Sequence, residues 1–181
     1  MVKIFTPTLL EGFEYCHPVN RGGFEDFISL INGNPRKAEW VPIEVEIIRD
    51  DEGEKLEVSD SPWLGSHALI FRPSAIQVLR PILEEFGELL CLKCNDSKLF
   101  VYNPTIILDA LVESESRIMR YSDGRIMKII NYVFQSSILG DVTIFKIPNI
   151  RNSPTFVSER FVNLWDSENL KGLKFTQVWS A

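Results

Sequence analysis

The dipeptide Asp123-Gly124 separates two runs of strand-forming residues, 117–121 and 125–134. A two-residue hairpin loop needs positive φ at both central positions, because only that twist matches the strands it joins, and Asp-Gly is among the few pairs that adopt it readily. The two runs are therefore expected to be antiparallel partners. Residues 88–94 and 98–102 flank Asn95-Asp96-Ser97 and read as a second hairpin. Val41, Ile43, Val45 and Ile47 alternate with Pro42, Glu44 and Glu46, the period of a strand with one buried face, and Pro42 places it near a sheet edge. The chain then turns at Gly53, and Leu56 and Val58 are expected to point inward again. Residues 143–147, stopping at Pro148, and 175–179 complete the strands.

Three stretches carry helical spacing. Phe24, Phe27, Ile28 and Ile31 recur on one face and are followed by Asn32-Gly33, a stop signal. Ser74-Ala75-Ile76-Gln77 fits a capping box, so a helix should begin there, bury Ile76, Leu79, Ile82, Leu83 and Phe86, and end at Gly87. Pro81 lies inside it and removes one backbone bond. Ser158 is placed to cap a last helix that exposes Glu159, Arg160 and Asn163 and turns Phe161, Val162, Leu164 and Trp165 inward. Helices among hairpin-linked strands predict an α+β fold with a largely antiparallel sheet. The 181 residues fit one domain. We expect residues 1–39 to be an N-terminal segment packed on a main body formed by 40–181.

The charge is uneven. Residues 44–60 hold Glu44, Glu46, Asp50, Asp51, Glu52, Glu54, Glu57 and Asp60 against Arg49 and Lys55, a net of −6, while the other 164 residues balance at 17 acids and 17 bases. Such a segment attracts basic partners and repels phosphate backbones, which disfavours direct nucleic-acid binding and favours a basic protein such as a nuclease. Acids on an edge strand also block sheet-to-sheet aggregation, a purely structural use. The N-terminus is too soon interrupted for a signal h-region, and no run reaches the roughly 20 apolar residues of a membrane span, so a cytoplasmic location without membrane contact is expected. Cys16, Cys91 and Cys94 suit a reducing compartment and are read as small core residues.

Catalytic and cofactor patterns are sparse. Cys91-x-x-Cys94 supplies half of a zinc site, with only Cys16, His17 and His67 left to complete it, so no metal or other cofactor is expected. Cys16-His17 and Ser66-His67 are adjacent in sequence, but neighbours on a strand face opposite sides, and no nucleophile elbow or phosphate-binding loop is present. Glu113 and Glu115 are read as a solvated loop. Arg117, Arg120, Asp123 and Arg125 gather at the hairpin turn, where they could grip a partner carboxylate or pair locally and fix the turn. Trp63, Phe145, Phe156 and Trp165 are expected in the core.

A series of phrases in the C-terminal two thirds carries a resemblance: Ser59-Asp60-Ser61-Pro62-Trp63, Tyr121-Ser122-Asp123-Gly124-Arg125-Ile126-Met127, Ile144-Phe145-Lys146-Ile147-Pro148, Ser153-Pro154-Thr155-Phe156-Val157-Ser158-Glu159-Arg160-Phe161-Val162 and Gly172-Leu173-Lys174-Phe175. In this order and spacing they resemble the immunity proteins of bacterial polymorphic toxin systems, a family once filed as a domain of unknown function. The resemblance runs from about Trp40 to Trp179, with Trp63, Asp123, Gly124, Arg125, Phe145, Pro148, Phe156, Ser158 and Phe161 as fold-signature positions. It implies a non-enzymatic, stoichiometric inhibitor of a cognate toxin domain. Glu44, Glu46, Asp50, Asp51, Glu52, Glu54 and Glu57 are then the expected toxin-facing surface. An adaptor or chaperone for a secreted effector, or an enzyme reversing a toxin's modification, are the rival readings.

Overall fold

Hydrophobic alternation fixes which strand faces turn inward, and long-range pairing then decides how the strands assemble. The structure, a computed structural model, describes residues 1–181. In chain order it contains β1 (Lys3–Leu9), β2 (Tyr15–Pro18), α1 (Gly23–Leu30), β3 (Val45–Ile48), β4 (Asp50–Asp51), β5 (Glu54–Lys55), β6 (Ile70–Phe71), α2 (Pro73–Phe86), β7 (Gly87–Cys91), β8 (Phe100–Pro104), β9 (Arg117–Arg120), β10 (Ile126–Asn131), α3 (Ser136–Leu139), β11 (Ile144–Phe145), β12 (Phe156–Ser158), α4 (Glu159–Ser167) and β13 (Leu173–Ser180). All pairings between these strands are antiparallel. The fold is α+β.

A four-stranded sheet runs β11-β12-β1-β13, a three-stranded sheet runs β6-β8-β7, and β2–β3, β4–β5 and β9–β10 are two-stranded ribbons. β1 pairs with β13 from Lys3 opposite Ser180 to Leu9 opposite Leu173, and with β12 on its other side. Residues 1–39 are therefore no addition to a finished body: their first strand lies inside the largest sheet. β2, unseen in the sequence pattern, pairs with β3.

Three apolar clusters fill the interior. α2 and α4 meet the strands through Leu79, Leu83, Phe71, Tyr102, Phe161 and Trp165. Phe27 and Ile31 of α1 pack with Val45, Ile47, Leu90 and Val101. Ile4, Ile129, Phe134, Phe145 and Phe156 form the third. Phe145 sits opposite Phe156 across β11–β12, their rings stacked at 5.2 Å, and Phe134 meets both edge-on. Burying one such side chain stabilises the fold by about 1.5–3 kcal/mol, so Phe145 and Phe156 serve here as core residues. Phe161 serves likewise, stacked on Trp165 with Phe175 at the edge of both. Trp63 is only half-buried, and its carbonyl accepts the Cys16 amide at 2.8 Å.

Other phrases singled out in the sequence form polar junctions. The Asp60 carboxylate accepts Ser74 Oγ at 2.5 Å and the Lys171 amide at 2.8 Å, while the Asp60 and Ser61 amides donate to the Lys171 carbonyl. Gly172 follows with φ of +104°, and a Cβ there would lie 2.5 Å from Ser59 Cβ, so glycine is required by close approach. Lys146 is buried, and its ammonium donates to the carbonyls of His67 at 2.7 Å and Ser153 at 2.9 Å. Burial pushes its pKa down to about 7. Pro148 is exposed where this segment leaves the core.

Several expectations need correction. The loop at Asp123-Gly124 is not a two-residue turn: Gly124 alone has positive φ, its amide donates to the Tyr121 carbonyl, and the Tyr121 amide donates to the Arg125 carbonyl. That is a three-residue loop ending in a glycine bulge. α2 starts at Pro73, where a missing N–H costs nothing, and Ser74 turns to Asp60, so no capping box forms. Pro81 sits on the exposed side of one continuous helix. Ser158 holds the N-cap position of α4, but its side chain makes no capping bond. Val41 and Val58 point to solvent, 77% and 69% exposed, because β3 begins only at Val45 and the chain beyond β5 follows residues 12–14. Cys16 is buried as expected, whereas Cys91 is exposed.

Candidate functional site

The acidic segment becomes a strand with a hairpin at its end. Val45 and Ile47 of β3 point into the core and Glu46 points out. Beyond Ile48 the strands β4 and β5 pair Asp50 with Lys55 and Asp51 with Glu54, around Glu52-Gly53. Both loop residues have positive φ, +52° for Glu52 and +87° for Gly53. This is the tight two-residue turn that the sequence pattern assigned to Asp123-Gly124. A left-handed conformation costs a non-glycine residue about 1–2 kcal/mol, and Asp51 directly opposite Glu54 is a like-charge pair that destabilises the ladder. The hairpin thus breaks two local rules at once. Its compensating bonds are few: the Gly53 amide donates to Asp50 Oδ1 at 3.0 Å, and the Leu56 amide donates to the Arg49 carbonyl at 2.9 Å.

Of the seven acids expected to face a partner, Glu44 is half-buried and paired with Lys93 at 3.0 Å. Glu46, Asp50, Asp51, Glu52, Glu54 and Glu57 are exposed, and none makes an ion pair. Glu57 is tethered by its backbone, its amide donating to the Gly12 carbonyl and its carbonyl accepting the Glu14 amide. Glu44, Glu46 and Asp96 border a groove of about 360 Å³ with Cys94 and Asn95. Asp96 comes from the β7–β8 turn, and the sequence could not have added it to the acidic surface, since only tertiary packing brings it alongside β3.

Beneath the hairpin lies a charge network. The buried Glu14 carboxylate accepts from Arg72 Nη2 at 2.5 Å, Arg72 Nε at 3.1 Å and the Ser59 amide at 3.1 Å. Arg49, the last residue before β4, places Nε 3.7 Å from the second Glu14 oxygen and donates Nη1 to Asp96 at 2.5 Å. That bond holds the Asp96 carboxyl below the usual range and raises the Arg49 pKa. Arg72 Nη1 also reaches Ser97 Oγ at 3.2 Å. The network therefore joins the hairpin root to the start of α2, the β7–β8 turn and the loop after β1, fixing the direction in which the acids project.

Two of the three arginines at the other turn pair locally, and Arg117 makes no ion pair. Arg120 bonds Glu113 and the Gly124 carbonyl, and Arg125 bonds Asp123. Asn149 and Arg120 hold the Glu113 carboxyl below its ordinary range. Burial pushes the Cys16 thiol up to about 12, so its thiolate is scarce at neutral pH, and pushes His67 down to about 4 with Lys146 adding to the effect. His17 lies between the rings of Tyr15 and Phe24. A more voluminous cavity, about 890 Å³, is elsewhere, an open cleft between α2 and the β7–β8 hairpin. Its two carboxylates are already engaged, Glu84 by Arg80 and Glu88 by the amides of Arg36 and Lys37. No helix is long and apolar enough to cross a membrane. No protein-family model matches the chain, and no curated protein matches it.

Proposed function

We propose that the chain is an immunity protein that binds a cognate bacterial toxin domain in the cytosol and occludes its active or substrate-binding surface, stoichiometrically and without turnover. One observation supports it above the others: the β4–β5 hairpin retains like charges face to face and a glutamate in a left-handed turn, with no counter-charge inside the molecule paired to Asp51, Glu52 or Glu54. Local rules broken without internal compensation are expected where a surface serves a partner. A basic cleft, such as that of a nuclease, supplies the missing counter-charges. The buried Glu14–Arg72–Arg49 network preorganises the acids, which lowers the ordering cost of binding. The motif resemblance supports the same reading.

The test needs a toxin domain that co-expression of this chain neutralises, sought first at the C-terminus of a long secreted protein encoded immediately upstream. Glu46→Gln, Asp50→Asn, Asp51→Asn and Glu54→Gln together should slow association at least tenfold at low salt and flatten its salt dependence, and full protection should need about one molecule per toxin. Protection of a large molar excess of toxin, or an unchanged association rate, would overturn the proposal.

A further inference from the structure

The outward face of the β9–β10 ribbon is unused by the fold. Ile118 and Ile129 lie directly opposite one another and turn inward against the Phe145–Phe156 cluster. The adjacent pair, Met119 and Lys128, therefore faces out, joined by Met127 and Ile130 at two breaks in register. Met119, Met127 and Ile130 are 47%, 43% and 46% exposed. Residues 117–131 hold four bases against one acid, a net of +3. Arg120 and Arg125 are engaged locally, whereas Arg117 and Lys128 make no ion pair. Exposed apolar side chains gathered around unpaired cations mark an interaction surface.

We propose that this face docks the acidic β4–β5 hairpin of a second copy of the chain, head to tail. The charges are complementary: Glu46, Asp50, Asp51, Glu52, Glu54 and Glu57 make no ion pair on one surface, and Arg117 and Lys128 make none on the other. The apolar parts match too. Val41 and Val58 flank the acidic residues, both exposed, and would cover the methionines of the ribbon. The two surfaces overlie different cores, the hairpin beside the Phe27 cluster and the ribbon on the Phe145 cluster, so each copy keeps one of each free for a neighbour. A contact between unlike surfaces is heterologous and extends the assembly beyond two copies unless the rotation closes a ring. Its exposed charge pairs make it weak and salt-sensitive.

Two double variants test it by light scattering during gel filtration at about 20 mM and about 0.5 M salt, conditions in which screening differs strongly. Wild-type mass should rise with protein concentration at low salt and fall to that of one chain at high salt. Arg117→Glu with Lys128→Glu, and separately Asp51→Lys with Glu54→Lys, should each stay single-chain at low salt. A mixture of the two should associate again, since each then offers the charge the other lacks. All four side chains are exposed, and circular dichroism confirms that the variants fold; Arg117→Gln with Lys128→Gln repeats the ribbon arm without charge reversal. Single-chain wild type at low salt, association surviving in either variant, or a mixture that fails to associate would each overturn the proposal. No toxin enters the measurement, so its failure is distinguishable from failure of the proposed function; both readings use the acidic hairpin, and a bound toxin would displace the neighbouring copy.

Discussion

The β4–β5 and β9–β10 hairpins differ in what holds them, and the difference separates two ways of building an exposed ribbon. β9–β10 lays Ile118, Ile126 and Ile129 on an aromatic core, and its turn is relieved by glycine at the one left-handed position. β4–β5 buries none of its four residues, carries a left-handed glutamate and opposes two acids. It is held from its root, by the buried Glu14 carboxylate and the two arginines that reach it. One ribbon is therefore secured by apolar packing and the other by charge, which leaves the charged one free to present a surface that stability alone would not choose.

The comparison breaks most readily at the root of the acidic hairpin. Arg72→Met removes the stronger partner of a buried carboxylate and should cost about 3–5 kcal/mol, because an uncompensated charge then stays in the interior. Urea unfolding of the purified variant measures it; a loss below about 1 kcal/mol would mean that the network does not anchor the hairpin. The ribbon should fail by a different route. Ile129→Ala leaves a cavity beside Phe145 and should cost about 2–4 kcal/mol, whereas Ile130→Ala, one residue on and facing solvent, should fall within about 0.5 kcal/mol of wild type. Equal losses at both positions would contradict the inward-outward assignment of β10.

Much of this fold is legible in the sequence because its signals are local. The α2 face, the β7–β8 hairpin and the pairing of β9 with β10 follow from spacing and turn residues within about 30 positions. The role of β1 does not, since its partners β12 and β13 lie more than 150 residues away and no local period announces a strand inserted between them. For the acidic surface, charge counting finds Glu46, Asp50, Asp51, Glu52, Glu54 and Glu57 but misses Asp96 and Glu14, which reach the site only through tertiary packing. The Asp-Gly rule failed in an instructive way. A three-residue loop accommodates Asp123 at negative φ, with its carboxylate on Arg125, while the tight turn occurs at Glu52-Gly53, where only the glycine suits the geometry.

That misplaced glutamate offers the finest distinction between the two hairpins. Glu52→Gly removes the left-handed penalty and one of the crowded negative charges, and opposes both gains with the extra unfolded-state freedom of glycine, leaving a net local gain of about 1 kcal/mol. Hydrogen exchange of the Leu56 amide, which donates to the Arg49 carbonyl at the hairpin root, should slow roughly fivefold, with exchange in β9–β10 unchanged. Under the proposed function the same substitution should weaken toxin association, since the surface loses one of six unpaired acids. Slower exchange with undiminished association would mean that Glu52 faces no partner, and the broken turn rule would then have to be explained by Asp51 and Glu54 alone.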